Sequence, residues 1–347
     1  MAILFLDGFD DYGASTGAAT DLTDYWTSTG GSWTLTTSVA RTGLAILTTN
    51  NYGSKLYHAY GQNLVTSTVG CAVRQNSAAS SSVAAVLCMM DGSSVQMSVA
   101  YQPNNHTYYV YRGDPASSGV SLGNVVGTDM NGTYVYIELQ ATIDGTVGAF
   151  NLLINGVSVL SGSGVNTQKT ANAYSNGIGL ESPQGTNTCY WDDLYAADTT
   201  GSINNSFLGT IQVKTLLPTG NGTNTQWTAS AGSAYNCVNG NPPTNGTSYI
   251  SDANDGEIST FTTAGVGSTG GVTGVFLKVH AAVDIAGARG IAGAVRTHSA
   301  NYVGSTQTVN STTYSSKQAI WDANPNTGVQ WTLTELNAAE FGVEVIS

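Results

Sequence analysis

Two short segments rich in acidic and aromatic residues stand at the two ends of roughly the first 200 residues of the chain. They are Leu4–Asp11, with the sequence LFLDGFDD, and Tyr190–Tyr195, with the sequence YWDDLY. Each is typical of a β-strand with one apolar face and a carboxylate-rich end. Such strands at both ends of one region predict a β-sandwich that is closed by pairing its first strand with its last.

Alternating apolar and polar residues, interrupted by turn residues, continue through the rest of the chain. Asp144-Gly145 and Asn155-Gly156 predict tight hairpins, because Asn, Asp and Gly tolerate the positive φ that such turns require. Near the C-terminus, Thr332 and Glu335 have the spacing of a helix capping box. The sequence therefore predicts an all-β protein with two jelly-roll-like β-sandwich domains in tandem and one short C-terminal helix.

A polar run divides the two predicted domains. We expect residues 1–198 to form the first sandwich, 199–206 a linker and 207–347 the second sandwich. In the second domain we expect a strand at Leu208–Leu217 and a long surface loop at Gly220–Gly246, which is rich in Asn, Gly, Thr and Pro.

The charge balance excludes several classes of partner. The chain has 10 basic and 22 acidic residues, a net charge of −12, and the basic residues are scattered. Binding to nucleic acid needs a basic stripe that displaces counterions from phosphates, and anionic membranes need a similar cluster. We therefore expect neither nucleic acid nor a membrane as a partner.

Catalytic patterns are missing from the sequence. Glycoside hydrolysis needs two carboxylates about 5–9.5 Å apart, yet Glu138 and Glu181 each stand alone in their predicted strands. The histidines form no motif with neighbouring Asp or Cys, and the glycines mark turns between strands. The sequence predicts that the protein is not an enzyme.

Aspartates at the ends of the two acidic strands form a candidate metal site. Asp7, Asp10 and Asp193 could supply oxygen ligands to Ca²⁺ at one end of a closed sandwich. The alternative is that these charges protect exposed strand edges from unwanted pairing. Strand alternation predicts that Asp192 and Asp193 point to opposite faces, so that at most one joins a site. No other cofactor is expected.

Tyrosines supply the candidate binding residues. The chain holds 18 Tyr and 6 Trp but only 7 Phe, a bias towards aromatic side chains with a polar tip. Tyr57, Tyr60, Tyr109 and Tyr111 fall in neighbouring predicted strands or loops. Such rings stack on sugars and also anchor protein interfaces, so either a glycan or a protein partner fits them.

The four cysteines show neither a C-x-x-C motif nor metal-ligand spacing. They are interpreted as buried free thiols, with a Cys71–Cys88 disulfide across adjacent strands as the alternative.

Several segments resemble known families. Phe5–Asp10 and Tyr190–Tyr195 resemble the first and closing strands of the laminin-G-like, concanavalin-A-like lectin and glucanase superfamily, over roughly residues 1–200. Thr215–Pro218, Thr225–Thr228 and Ala338–Val345 resemble the C-terminal region of virion structural proteins of tailed bacteriophages.

This resemblance implies a surface-exposed decoration or appendage component of a phage capsid or tail. Such a protein is held by contacts with other virion proteins, forms a homo-oligomer, and is made in the host cytoplasm without a signal peptide. The alternative is a glycan-binding adhesin of a tail fibre or spike that recognises host surface polysaccharide. The resemblance carries over no catalytic residues, because the glucanase carboxylate motif is missing.

Overall fold

A computed structural model of the chain describes residues 2–13, 17–18, 22–49, 54–76, 80–182, 188–267, 270–285 and 287–346. Contacts divide the chain into two compact units, Ala2–Val213 and Lys214–Ser347. The segment 199–206 therefore belongs to the first unit, and the domain limits drawn from sequence stay a prediction.

The first unit is built almost entirely from strands. They are β1 Ile3–Asp7, β2 Gly17–Ala18, β3 Ser28–Gly30, β4 Thr34–Thr36, β5 Ala45–Thr49, β6 Lys55–Leu64, β7 Thr66–Asn76, β8 Ala84–Asp91, β9 Ser94–Gln102, β10 Thr107–Arg112, β11 Val120–Val126, β12 Val135–Thr142, β13 Gly148–Ile154, β14 Val157–Val165, β15 Ser175–Glu181 and β16 Thr188–Asp198. A short helix, α1 Leu22–Tyr25, and one 3₁₀ turn, Pro103–Asn105, accompany them.

These strands form two antiparallel sheets. The first sheet has the order β14-β13-β12-β7-β16-β5-β4-β2, with β1 also paired to β16, and the second has the order β11-β10-β9-β8-β15-β6-β3. In the β1–β16 pair, Phe5 lies opposite Ala196 and Asp7 opposite Leu194. The predicted closure of the sandwich by its two acidic strands is confirmed.

Aromatic side chains fill the space between the two sheets. Phe5 of the first sheet stacks on His58 of the second, with ring centroids 3.7 Å apart. The indole Nε1 of Trp191 crosses the core and donates to the carbonyl oxygen of Val86 at 2.9 Å. Trp26 and Trp191 are both fully buried, so each contributes a large apolar area to the stability of the sandwich.

The predicted hairpin at Ile154–Val157 is present. Asn155 and Gly156 have φ values of 51° and 78° and join β13 to β14. Both residues adopt the left-handed conformation that a tight hairpin needs, which explains why this dipeptide predicted the turn.

The second unit is also all-β. Its strands are β17 Pro218–Thr225, β18 Thr228–Ala229, β19 Ile250–Ser251, β20 Ile258–Thr263, β21 Val275–Ala281, β22 Arg289–Thr297, β23 Ala300–Val303, β24 Gln307–Val309, β25 Ser315–Trp321 and β26 Glu340–Ile346. The main sheet has the order β17-β20-β26-β22-β23, with β24 also paired to β22, and β21–β25 and β18–β19 form two ribbons. Its helices are α2 Ala234–Cys237 and α3 Leu333–Ala338.

Helix α3 begins with the predicted capping box. The side chain of Thr332 accepts from the backbone N–H of Glu335 at 3.2 Å, and the backbone N–H of Thr332 donates to the Glu335 carboxylate at 2.9 Å. Leu336 then packs with Trp321 and Trp331 in the core of this unit. The short C-terminal helix is confirmed.

Two predicted segments differ from the structure. Leu208–Leu217 forms no strand, because its backbone donors bond to carboxylates of the first sheet: Gly209 N–H to Glu138 and Val213 N–H to Asp193. Gly220–Gly246 is not a plain loop, since it holds most of β17 together with β18 and α2.

All four cysteines are free and buried. Burial raises the pKa of the Cys71 thiol, which keeps it protonated and unreactive. In the described ranges, the helices are too short and too polar to cross a bilayer.

Candidate functional site

Hydrogen-bond donors of the protein surround the aspartates that were predicted as metal ligands. Asp7 accepts from the backbone N–H of Phe9 at 2.8 Å, from the Tyr12 hydroxyl at 2.5 Å and from the Trp26 indole at 3.1 Å. Asp10 accepts from the backbone N–H of Leu44 at 2.6 Å. These bonds tie the first turns of the chain to the core.

Asp193 lies in a cluster with Asp192 and Arg41, and the charge of Asp10 also acts on Asp192. Asp193 accepts from the Arg41 guanidinium, from the Thr42 hydroxyl at 3.1 Å and from Val213 N–H at 2.7 Å. Asp192 accepts from the backbone N–H groups of Arg41 and Thr42 at 2.9 and 3.0 Å. The described residues contain no group of three or more His, Cys, Asp or Glu placed to hold a metal, so the calcium site stays a prediction without geometric support.

Simple strand alternation fails at these two aspartates. The register of β16 against β7 shifts between Asp192 and Tyr195, and Asp193 has a φ of 51°. This bulge turns both carboxylates towards the same Arg41–Thr42 segment instead of towards opposite faces. Burial and the neighbouring charge of Asp193 raise the pKa of Asp192 to about 8.

The register of the second sheet places three of the four predicted tyrosines on one face. Tyr57 pairs with Gly179, Gly179 with Cys88, Cys88 with Ser98, and Ser98 with Tyr111. Paired residues share a face of a sheet, so Tyr57 and Tyr111 both point away from the core. Tyr109, two residues before Tyr111 in β10, lies on the same face, and the two ring centroids are 5.9 Å apart.

Tyr60 stands three positions after Tyr57 in β6, where the register against β15 becomes irregular between Ala59 and Leu64. Its hydroxyl is buried, and burial followed by the electrostatic effect of Tyr57 raises its pKa well above the usual value. The structure therefore places Tyr60 near Tyr57 but leaves its hydroxyl buried.

The residues after β10 lie over the outward face of the second sheet. The Ser98 hydroxyl donates to the carbonyl oxygen of Gly113 at 2.7 Å, and the Asp114 carboxylate lies 3.2 Å from Lys55 Nζ of β6. In this sheet β9, β8 and β15 stand between β10 and β6. Tyr109 and Tyr111 on β10 are therefore separated from Tyr57 by three strands.

The candidate site is the strip along β6 that includes Tyr57, which we call the β6 surface. It comprises Lys55, Tyr57, Ala59, Gly61, Gln62, Asn63, Asp114, Asn176 and Glu181. The Tyr57 hydroxyl donates to the Asn176 side chain at 3.4 Å, and that same oxygen accepts from Gly92 N–H at 2.8 Å. Beside this pair lies an open depression of about 210 Å³ that Ala59, Gly61, Gln62, Asn63 and Asn176 line.

An ion cluster stands at the other end of the β6 surface. Lys55 Nζ lies 3.1 Å from Glu181 Oε1 and 3.2 Å from Asp114 Oδ2. The Glu181 side chain is 5% exposed and that of Lys55 is 36% exposed. Burial raises the pKa of Glu181 to about 7 although the Lys55 charge opposes this, and the Asp114 charge adds to the rise.

Sequence reasoning missed this cluster because its members are far apart in the chain. In the sequence Glu181 stands alone in its predicted strand, and neither Lys55 nor Asp114 is among the predicted site residues. The β6–β15 register sets Lys55 opposite Glu181, and the loop after β10 delivers Asp114. An aromatic ring, several amides and a carboxylate with a raised pKa on one open strip are the components of a ligand site.

No protein-family profile matches the chain, and no curated protein matches it. Solved structures with some similarity include the alginate lyase Aly36B, at 14% identity over 56% of this chain and 96% of that one, with a TM-score of 0.40. They also include the cellulose-induced protein Cip1 at 16% identity, 56% and 96% coverage and a TM-score of 0.39. The carbohydrate-binding module CBM66 from Bacillus subtilis has 8% identity, 48% and 95% coverage and a TM-score of 0.33. Likenesses this distant carry no argument about function.

Proposed function

We propose that the first unit binds a saccharide on the β6 surface. The observation that carries this proposal is the arrangement around Tyr57, which is partly exposed on an outward strand beside a polar depression. An aromatic face supplies apolar contact to a sugar ring, while planar amides and carboxylates supply directional hydrogen bonds to its hydroxyls. Asn176 places such an amide at Tyr57, and Gln62 and Asn63 line the adjoining depression.

The size of the depression favours a ligand that lies along the surface. Its volume of about 210 Å³ is below the roughly 300–1,000 Å³ of pockets that enclose a small molecule. A saccharide that stacks on Tyr57 and extends along β6 fits such an open strip. In this proposal the protein is a binding module, and the ion cluster positions the ligand. The tailed-phage virion role, the virion partners and the homo-oligomeric state stay predictions.

A glycan array probed with the wild-type protein and three variants tests the proposal. Tyr57→Ala is expected to weaken binding of the best glycan about tenfold or more, because it removes the stacking face. Gln62→Ala, at an exposed position, is expected to weaken it about threefold through loss of one hydrogen bond.

Tyr111→Ala serves as the matched control, because Tyr111 lies on the same face of the sheet but three strands separate its strand β10 from β6. Its glycan affinity is expected to equal that of the wild type. Binding that survives Tyr57→Ala but is lost in Tyr111→Ala would place the site at β10 instead of at β6. A blank array would defeat the proposal altogether.

A further inference from the structure

The depression of the β6 surface lies where strand β6 is irregular. Its register against β15 shifts between Ala59 and Leu64, and a shift of this kind lets a strand bulge away from its neighbour. The residues that line the depression are small or carry an amide: Ala59, Gly61, Gln62, Asn63 and Asn176. The bulged part of β6 therefore supplies two of the three amides, and β15 supplies the third.

The backbone fixes the orientation of the Asn176 amide. Gly92 N–H can only donate, so the oxygen that it reaches at 2.8 Å is Asn176 Oδ1. The Tyr57 hydroxyl donates to the same oxygen at 3.4 Å. Asn176 Nδ2 has no hydrogen-bond partner in the described part of the chain. The free bonding capacity of this amide therefore consists of donors.

The lining of the depression carries no charged side chain. The ionisable residues of the β6 surface lie at its other end, where Lys55 is shared by Asp114 and Glu181. Outside the lining, Asp91 Oδ2 accepts from Thr170 and Asn172 at 2.5 and 2.9 Å. The depression thus offers a ligand amides and an apolar wall, which suits an uncharged group that has a donor, an acceptor and an apolar part.

We propose that the saccharide bound at the β6 surface carries an acetamido group, which the depression receives while Tyr57 stacks on the sugar ring. This inference rests on the proposed function and narrows its ligand class. The acetamido carbonyl accepts from Asn176 Nδ2, its N–H donates to an amide oxygen of Gln62 or Asn63, and its methyl lies against Ala59. A hydroxyl at the same ring position is too short to reach two amides and brings no methyl.

Calorimetric titration with three oligosaccharides of equal length and linkage tests this. Glucose, glucosamine and N-acetylglucosamine oligomers differ only in one substituent of each ring, which is a hydroxyl, an amine or an acetamido group. The acetylated oligomer is expected to bind about tenfold more tightly than the other two, because it adds a hydrogen bond and an apolar contact. On the glycan array, the strongest binder is expected to carry an acetamido group.

Asn176→Asp is the most direct variant. The new carboxylate still accepts from Gly92 N–H and from the Tyr57 hydroxyl, but it presents an oxygen in place of Nδ2. This variant is expected to bind the acetylated oligomer about tenfold more weakly and the glucose oligomer as the wild type does.

The double variant Gln62→Ala with Asn63→Ala tests the same inference without touching the bonds of Asn176, and it remains informative if Asn176→Asp fails to fold. Both positions are exposed. The double variant is expected to lower the preference for the acetylated over the glucose oligomer about threefold, through loss of one hydrogen bond. An unchanged preference would contradict the inference.

A control variant separates loss of the donor from gain of a charge. Asn124→Asp adds the same charge at an exposed position of β11, and four strands of the sheet stand between β11 and β6. It is expected to bind the acetylated oligomer as the wild type does. If it weakens binding as much as Asn176→Asp does, the cause is general repulsion and the inference is overturned.

The remaining outcomes separate the two proposals. Equal affinity for the three oligomers, tighter binding of the glucose or glucosamine oligomer, or a strongest array glycan without an acetamido group overturns this inference but leaves saccharide binding intact. If none of the three oligomers binds, the strongest array glycan and its deacetylated form take their place in the titration. If the array is blank, both proposals fall together.

Discussion

Both sheets of the first unit hold carboxylates on the faces that point away from the sandwich core. On the first sheet, Asp192 and Asp193 each accept several bonds from Arg41, Thr42 and Val213. On the second sheet, Glu181 and Asp114 share one partly exposed lysine, and burial and a side-chain hydrogen bond to Asp114 raise the pKa of Glu181 to about 7. The first group fastens chain segments, whereas the second lies beside the open β6 surface.

Glu138 shows why a missing partner alone does not mark a site. Its Oε1 accepts from the Tyr195 hydroxyl at 2.6 Å and from Gly209 N–H at 2.9 Å, while its Oε2 has no hydrogen-bond partner in the described ranges. The residue is fully buried, and Tyr195 packs its ring against Gly70, where any Cβ would collide at 2.3 Å. Glu181 differs because it adjoins an open strip with an aromatic face.

The largest expected effect is a difference in stability between variants of the two carboxylate groups. Asp193→Asn keeps one acceptor oxygen for Thr42 and Val213 but turns an amide N–H₂ towards Arg41 and leaves it without its counter-charge, which should lower the free energy of unfolding by about 3 kcal/mol. The same change at Asp114 should cost about 0.5 kcal/mol, since its lysine stays partly in water. Urea unfolding followed by hydrogen exchange of β16 measures both.

Equal losses in these two variants would contradict the comparison, since they would make both clusters structural anchors. A loss at Asp114→Asn that exceeds the loss at Asp193→Asn would reverse it.

The pH dependence of stability sharpens the role of Glu181. Its pKa in the folded protein is about 7, above the usual 4.5, so the folded state binds more protons than the unfolded state between these values. The unfolding free energy should therefore fall as pH rises through this window. The unfolding free energy of the wild type should equal that of Glu181→Gln at pH 4.5. Above pH 7 it should be lower than that of Glu181→Gln by on the order of 2 kcal/mol.

Urea midpoints of the two proteins at several pH values give this difference directly, because the other titrating groups are common to both. If the unfolding free energies of wild type and Glu181→Gln run parallel with pH, the buried carboxyl titrates with its usual pKa and its environment does not favour the protonated form.

Local signals carried most of the fold that could be predicted. The strand pair β1–β16, the Asn155-Gly156 turn and the Thr332 capping box each rest on residues that are close in sequence or alike in pattern. Strand β6 escaped prediction because Lys55–Leu64, KLYHAYGQNL, mixes polar and aromatic residues without a clean period of two. Even once β6 is assigned, alternation does not place Tyr60, because the register of β6 against β15 is irregular between Ala59 and Leu64.

The candidate site was less accessible to sequence reasoning than the fold. Lys55, Asp114 and Glu181 meet through a strand register and a loop path, both of which are tertiary features. The bulge at Asp193 is a further case, because one residue in the left-handed conformation redirects a side chain that alternation places elsewhere. The prediction that Asp192 and Asp193 point to opposite faces is wrong because of this backbone bulge, which the residue types do not predict.

The smallest expected effect concerns calcium. Asp7, Asp10 and Asp193 already accept bonds from protein donors, and a metal would have to displace Tyr12 or Arg41 to reach their oxygens. Millimolar Ca²⁺ should therefore change the melting temperature by less than about 1 °C, because a ligand stabilises a fold only when it binds the native state. Calorimetric melts with Ca²⁺ and with a chelator measure this, and Mg²⁺ at equal ionic strength is the control. A rise of several degrees that is specific to Ca²⁺ and lost in Asp10→Asn would support the predicted metal site. The aspartates at the first acidic strand would then bind a ligand instead of only anchoring chain segments.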